Sequence, residues 1–247
     1  MSDARKGTYG NRARIGLLVP STNTVGESEF WRLAPPGVSV HTSRMPFLPE
    51  KHEKPFEAME REVPRVLEEA VSAAPDVIAY GCTASSAKGD PAVLEAELAA
   101  TSGRPTATAA GALVAALRAF GAKKIALVTP YPPELNAKER KFFAENGIEV
   151  VADESVIVDQ AQLKLRNMCL VPKDKLVERA VALGRRDDVE AVVLSCADMP
   201  TLAALPEIEA AIGKPVTSSV QALLWRALRL AGIQDRNPAA GRLLASH

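Results

Sequence analysis

Short aliphatic and β-branched runs recur along the chain, each closing on a small residue, a polar residue or proline. Between them lie Ala-, Leu-, Glu- and Lys-rich stretches with helical spacing. The runs predict strands at Ile15–Val19, Val38–Thr42, Val77–Tyr80, Ile125–Val128, Glu149–Ala152 and Ala191–Leu194. Their near-continuous apolar character suits parallel strands covered on both faces. The intervening stretches predict helices at Glu53–Ala73, Pro91–Ala100, Ala110–Phe120, Pro133–Asn146, Pro172–Leu183, Leu202–Ile212 and Ser219–Ala231. Gly121, Gly147 and Gly232 follow three of them, where a left-handed stop favours glycine. Residues 1–14 are polar and predict a flexible tail.

The pattern also repeats. Arg14-Ile-Gly-Leu-Leu-Val-Pro20 realigns with Lys124-Ile-Ala-Leu-Val-Thr-Pro130, 110 residues on. Asp76-Val-Ile-Ala-Tyr-Gly-Cys82 realigns with Glu190-Ala-Val-Val-Leu-Ser-Cys196, 114 residues on. Arg104-Pro105, ahead of the helix that stops at Gly121, matches Lys214-Pro215 ahead of the helix that stops at Gly232. Three features in one order at a nearly constant offset indicate duplication, and the period is too long for a solenoid. The fold class predicted is α/β: two pseudo-symmetric Rossmann-like lobes with parallel sheets and an active site in the cleft between them. Lobe 1 spans residues 15–121 and lobe 2 residues 122–247, with an exchange of terminal helices between them left open.

Composition narrows the function classes. The 247 residues balance 30 Lys+Arg against 30 Asp+Glu and hold only 4% aromatics, so neither a basic footprint nor a stacking platform for nucleic acid is present. No apolar run reaches the ~18 residues of a membrane helix; the longest, Pro105 to Leu117, is bounded by Arg104 and Arg118. The polar start has no apolar core of a signal peptide, and three cysteines make no disulfide framework. A cytoplasmic protein with reduced thiols is expected. His41, His52 and His247 lie too far apart in sequence for a zinc motif. P-loop, G-x-G-x-x-G and G-x-S-x-G patterns are missing too, so neither metal nor cofactor is expected.

The candidate chemistry lies at strand ends. Cys82 and Cys196 each follow a predicted strand, one per repeat, and a thiol beside free backbone N–H groups is expected to have a lowered pKa. A small buried hydrophobe is the plainer reading of one such cysteine, but matched positions in two repeats favour chemistry. Cys169 has no counterpart and reads as structural. Ser21, Thr22 and Asn23 at the first strand's exit could bind a carboxylate or could form an ordinary turn. Their repeat mate holds Tyr131, whose O–H could face a developing enolate or could pack over proline.

Duplicated lobes with a cysteine from each resemble the aspartate/glutamate racemase superfamily. Pro20-Ser-Thr-Asn-Thr24 and Ser195-Cys196-Ala-Asp-Met-Pro-Thr-Leu202 are most similar to its maleate cis–trans isomerase and arylmalonate decarboxylase branch. The resemblance implies a cofactor-free enzyme acting on a small carboxylate, with Asn23, Cys82, Tyr131 and Cys196 as functional positions. Cys82 would add as a thiolate to an alkene and Cys196 would manage the proton. Asn23, Tyr131 and the backbone around Thr83, Ala84 and Ala197 would hold the carboxylates, Ser21 and Thr22 lying alongside; Asn167 is the nearest match to a further family asparagine. Two departures leave the substrate open: the polar loop Thr83-Ala-Ser85-Ser86, which is more like the decarboxylases, and the acid Asp198. A two-cysteine racemase, a decarboxylase relying on Cys196 and a small-acid binding protein are the alternatives. No nucleic-acid or membrane partner is expected; a homo-oligomer is left open.

Overall fold

The computed structural model describes residues 8–157 and 165–247, with side chains in the second span described from residue 168. Among the described residues, eight strands form two four-stranded sheets in which every pair is parallel. β1 (Ala13–Pro20), β2 (Val38–Met45), β3 (Val77–Tyr80) and β4 (Thr106–Thr108) are ordered β2-β1-β3-β4. β5 (Lys124–Thr129), β6 (Glu149–Ser155), β7 (Ala191–Leu194) and β8 (Val216–Ser218) repeat that order as β6-β5-β7-β8. All four residues of β3 and of β7 are buried, as strands covered on both faces require.

The helices are α1 (Gly26–Leu33), α2 (Pro55–Arg61), α3 (Val63–Ser72), α4 (Thr83–Ser86), α5 (Pro91–Ser102), α6 (Ala109–Phe120), α7 (Pro133–Glu145), α8 (Lys173–Gly184), α9 (Leu205–Ile212), α10 (Ser219–Leu230) and α11 (Arg242–Ser246). The helix expected over Glu53–Ala73 is two, α2 and α3, meeting at Glu62. Pro64 lacks the N–H that a continuous helix would bond to Glu60 and crowds that carbonyl. β1 begins at Ala13, inside the stretch expected to be a tail. Two strands arise where none was expected. β4 and β8 have three residues each, and each ends in its helix's cap: Thr108 Oγ1 accepts from Gly111 N–H, Ser218 Oγ from Gln221 N–H. These caps lie 110 residues apart, the offset of the repeat.

The sheets share one core. α6 and α10 pack on each other, and α10 also lies against β3 and β4 of the first sheet. A single apolar cluster therefore runs through Leu17, Leu113, Leu127 and Leu224, all fully buried. Separate clusters cover the outer face of each sheet. The carboxyl ends of β1, β3, β5 and β7 consequently face one cleft.

Candidate active site

The cleft, about 390 Å³ of space including its open mouth, is lined from both sheets. Pro20, Thr22 and Asn23 enter from β1, Gly81, Cys82, Thr83 and Ala84 from β3, Tyr131 from β5, and Cys196, Ala197 and Asp198 from β7. Phe47, Phe56 and Met168 complete the wall. These three apolar residues were not singled out in the sequence, because nothing local distinguishes a wall phenylalanine from a core one. Among the described residues, no lysine, arginine or histidine lines the cleft.

Asn23 is 2% exposed and ties the lobes together. Its Oδ1 accepts from Val25 N–H (3.1 Å) and Gly26 N–H (2.8 Å), closing the start of α1, and its Nδ2 donates to Ala197 O at 2.8 Å. One amide hydrogen remains for a ligand. Asp198 reaches the same helix end from the other lobe, its Oδ1 accepting from Thr24 N–H (2.8 Å) and Val25 N–H (3.3 Å). Further along α1, Glu29 accepts from the N–H groups of Thr201 and Leu202 at 2.8 and 2.9 Å. Ser21 has a structural occupation instead of the expected place at a ligand. Its hydroxyl donates to Phe47 O (3.1 Å) and accepts from Phe47 N–H (2.9 Å), and it does not line the cleft. The side chain of Asn167 lies outside the described residues.

Cys82 is the residue before α4, whose first amides have no intrahelical acceptor. The polar loop after it is not a set of free hydroxyls. Thr83 Oγ1 donates to Ser219 Oγ across the lobe boundary (2.9 Å), Ser85 pairs with Tyr80 (2.9 Å), and Ser86 bonds Cys82 O (2.7 Å) and Ala110 N–H (3.1 Å). The hydroxyls of Thr83-Ala-Ser85-Ser86 thus have a folding role.

The two thiols are buried, at 5% and 4% exposure, in different surroundings. Burial pushes the Cys82 thiol up, contrary to the lowered value expected, and the hydroxyl and N–H of Ser85 draw it partly back. Burial also pushes Cys196 up, Asp198 and Glu139 adding to the effect, while the Tyr131 O–H and Asp198 N–H oppose it. Asp198 N–H donates to Cys196 Sγ at 3.3 Å. Tyr131, 3% exposed, is itself held far above the ordinary phenol value, chiefly by burial. Both sulfurs have donors beside them, but Cys196 also has the acids Asp198 and Glu139 close by, so Cys82 is the better candidate nucleophile and Cys196 the better candidate proton donor.

The chain is similar to known proteins in sequence and in fold. The family model described as arylmalonate decarboxylase matches residues 51–244. The maleate isomerase of Alcaligenes faecalis is 34% identical, over 94% of this chain and 96% of its own. Among solved structures, maleate isomerase Iso from Pseudomonas putida, determined with maleate, superposes with a TM-score of 0.84 at 28% identity, covering 94% of this chain and 97% of that one. A mutant of Nocardia farcinica maleate cis-trans isomerase with a covalently bound succinylcysteine intermediate superposes with a TM-score of 0.82 at 29% identity, covering 95% and 99%.

Proposed function

Because the chain belongs to the arylmalonate decarboxylase family, we propose that within it this protein is a cysteine-dependent cis–trans isomerase of a small unsaturated dicarboxylate, of the maleate type. One observation carries the reading: Cys82 and Cys196, from matched strand ends of the two sheets, line a single cleft. The chemistry follows from their surroundings. Cys82, deprotonated, attacks one alkene carbon; a C–S bond forms and the π electrons move into the adjacent carboxylate as an enediolate. Cys196 gives its proton to the neighbouring carbon, so that Cys82 carries a succinyl thioether and Cys196 a negative charge. Rotation about the carbon–carbon single bond follows. Cys196 then takes the proton back as the C–S bond breaks, and the trans acid leaves with Cys82 again a thiolate and Cys196 again a thiol.

Charge management supports the same reading. Among the described residues, neutral donors stand ready for the carboxylates: the spare Asn23 Nδ2–H, the Tyr131 O–H, and backbone N–H groups of Thr83, Ala84 and Ala197. Thr22, half-buried at the rim, is placed to add a hydroxyl. The succinylcysteine in the Nocardia relative is the intermediate this sequence of steps requires. Decarboxylation of a malonate would need Cys196 alone, whereas isomerisation needs both thiols.

Proton NMR of purified protein with maleate tests the assignment. The wild type is expected to produce fumarate, and Cys82→Ala and Cys196→Ala each to lose at least about a thousandfold in turnover while keeping the native circular dichroism. Unchanged turnover in either variant refutes the two-thiol mechanism. An arylmalonate consumed by Cys82→Ala in place of maleate would reassign the protein as a decarboxylase.

A further inference from the structure

Beneath the cleft lies a carboxyl group that the isomerisation steps leave unused. Glu139 projects from the face of α7 that also carries Asn136 and Phe143, and only 2% of it is exposed. Both of its carboxyl oxygens lack a hydrogen-bond partner, and so does the hydroxyl of fully buried Ser195, the residue immediately before Cys196. Asn136, one turn earlier, is already engaged with Thr129. The charged neighbours on α7, Lys138, Arg140 and Lys141, are exposed, and Arg140 is paired with Asp153 of β6. On the rest of β6, Glu154 is paired with Arg179 and Glu149 is exposed. Among the described residues, Glu139 acts on Tyr131 and Cys196.

An ionised carboxylate without partners in such a place costs several kcal/mol, so the resting group is the neutral acid. We propose that Glu139, held neutral beside Ser195, is a positioning residue for Cys196: it keeps the floor of the cleft uncharged while Cys196 bears the negative charge left when its proton goes to substrate carbon. This rests on the isomerase reading for its place in the cycle, but the electrostatic link to Cys196 does not. Ionisation of Glu139 would set a second negative charge near the Cys196 thiolate and oppose its formation. Burial lifts the Glu139 carboxyl to about 8, so the loss falls just above neutrality. Below that pH the acid is neutral and Cys196 functions; above it activity declines.

Two readouts on the full chain test the proposal. The kcat–pH profile for maleate should fall above about pH 8 in the wild type, and in Glu139→Gln that limb should move upward by at least about one pH unit. Independently of turnover, iodoacetamide alkylation of Cys196 at pH 9.5, followed by mass spectrometry, should quicken about tenfold in Glu139→Gln, since the opposing charge has gone. Glu139→Leu, neutral and apolar, should quicken it likewise if the Gln variant folds poorly. A merely structural Glu139 would change the melting temperature and leave both pH readouts where they were. Wild-type rates of Cys196 alkylation in both variants would overturn the proposal. Faster alkylation in a protein that never converts maleate would uphold the Glu139–Cys196 link and reject the isomerase reading instead.

Discussion

Asp198 stands where a free negative charge would oppose a dicarboxylate, yet its Oδ1 is committed to the Thr24 and Val25 amides at the start of α1. Those N–H groups and the helix end offset part of the charge, but burial still dominates and lifts the carboxyl to about 6. Its folded value exceeds the ordinary 3.8, so its contribution to stability is complete below that value and is lost as pH rises through about 6. Asp198→Asn keeps an acceptor for both amides and removes the charge. It should unfold at a higher temperature than wild type at pH 7.5, by on the order of 2 kcal/mol, with the advantage shrinking toward pH 5. Maleate kcat/KM should rise several-fold, because a like charge leaves the cleft. A pH-independent melting difference would place the ionisation elsewhere. At this scale the two cysteines, Asn23 and Tyr131 were legible, since each stands at a strand end as a chemically distinctive side chain. Glu139 was not: among Lys138, Arg140 and Lys141 it reads as part of a solvated face, and only tertiary packing buries it.

Elements place these side chains through close backbone approach. Gly81 links β3 to Cys82 and donates its N–H to Leu18 O at 2.7 Å; a Cβ added there would meet that same carbonyl oxygen at 2.9 Å and Val19 Cγ1 at 3.1 Å. Neither β1 atom lies at the far end of a flexible chain. Gly81→Ala should therefore displace the strand end and with it the Cys82 sulfur, costing about 1–3 kcal/mol of stability and at least tenfold in kcat/KM. Urea unfolding and steady-state kinetics would check the two effects, and an active, fully stable variant would mean that β1 yields without moving Cys82. The longer strands and α5 to α10 were readable because an apolar run or a helix-forming composition extends over several residues. Three-residue strands such as β4 and β8 carry no period to read, and α1 hides behind the turn-like Ser21-Thr-Asn-Thr24 because its cap comes partly from Asp198 in the other lobe. Physical distance along the chain, not weak propensity, concealed it.

The two lobes are bound into one folding unit by features that duplication alone would not predict. Asn23 to Ala197, Thr24 and Val25 to Asp198, Glu29 to Thr201 and Thr83 to Ser219 all cross between the halves. The apolar contact is larger: Leu223, Leu224, Trp225 and Leu228 of α10 are buried in a core that includes β1, β3 and α6. Repetition in the sequence made the two sheets and their matched cysteines legible and left open an exchange of terminal helices; α10 of the second half lies against β3 and β4 of the first. A fragment of residues 1–121 would expose the surfaces on β3, β4 and α6 that α10 covers, and burial of each large side chain is worth about 1.5–3 kcal/mol. Set against a total stability of about 5–15 kcal/mol, that loss is enough to abolish independent folding. Alone, the fragment should bind a hydrophobic dye and melt without a cooperative transition; mixed with residues 122–247, it should regain a single transition together with maleate turnover. Cooperative melting of residues 1–121 by themselves would show that the first sheet needs no cover. The cleft would then be a junction between two autonomous domains, free to open, whereas a shared core holds Cys82 and Cys196 at one fixed separation for the two-thiol chemistry.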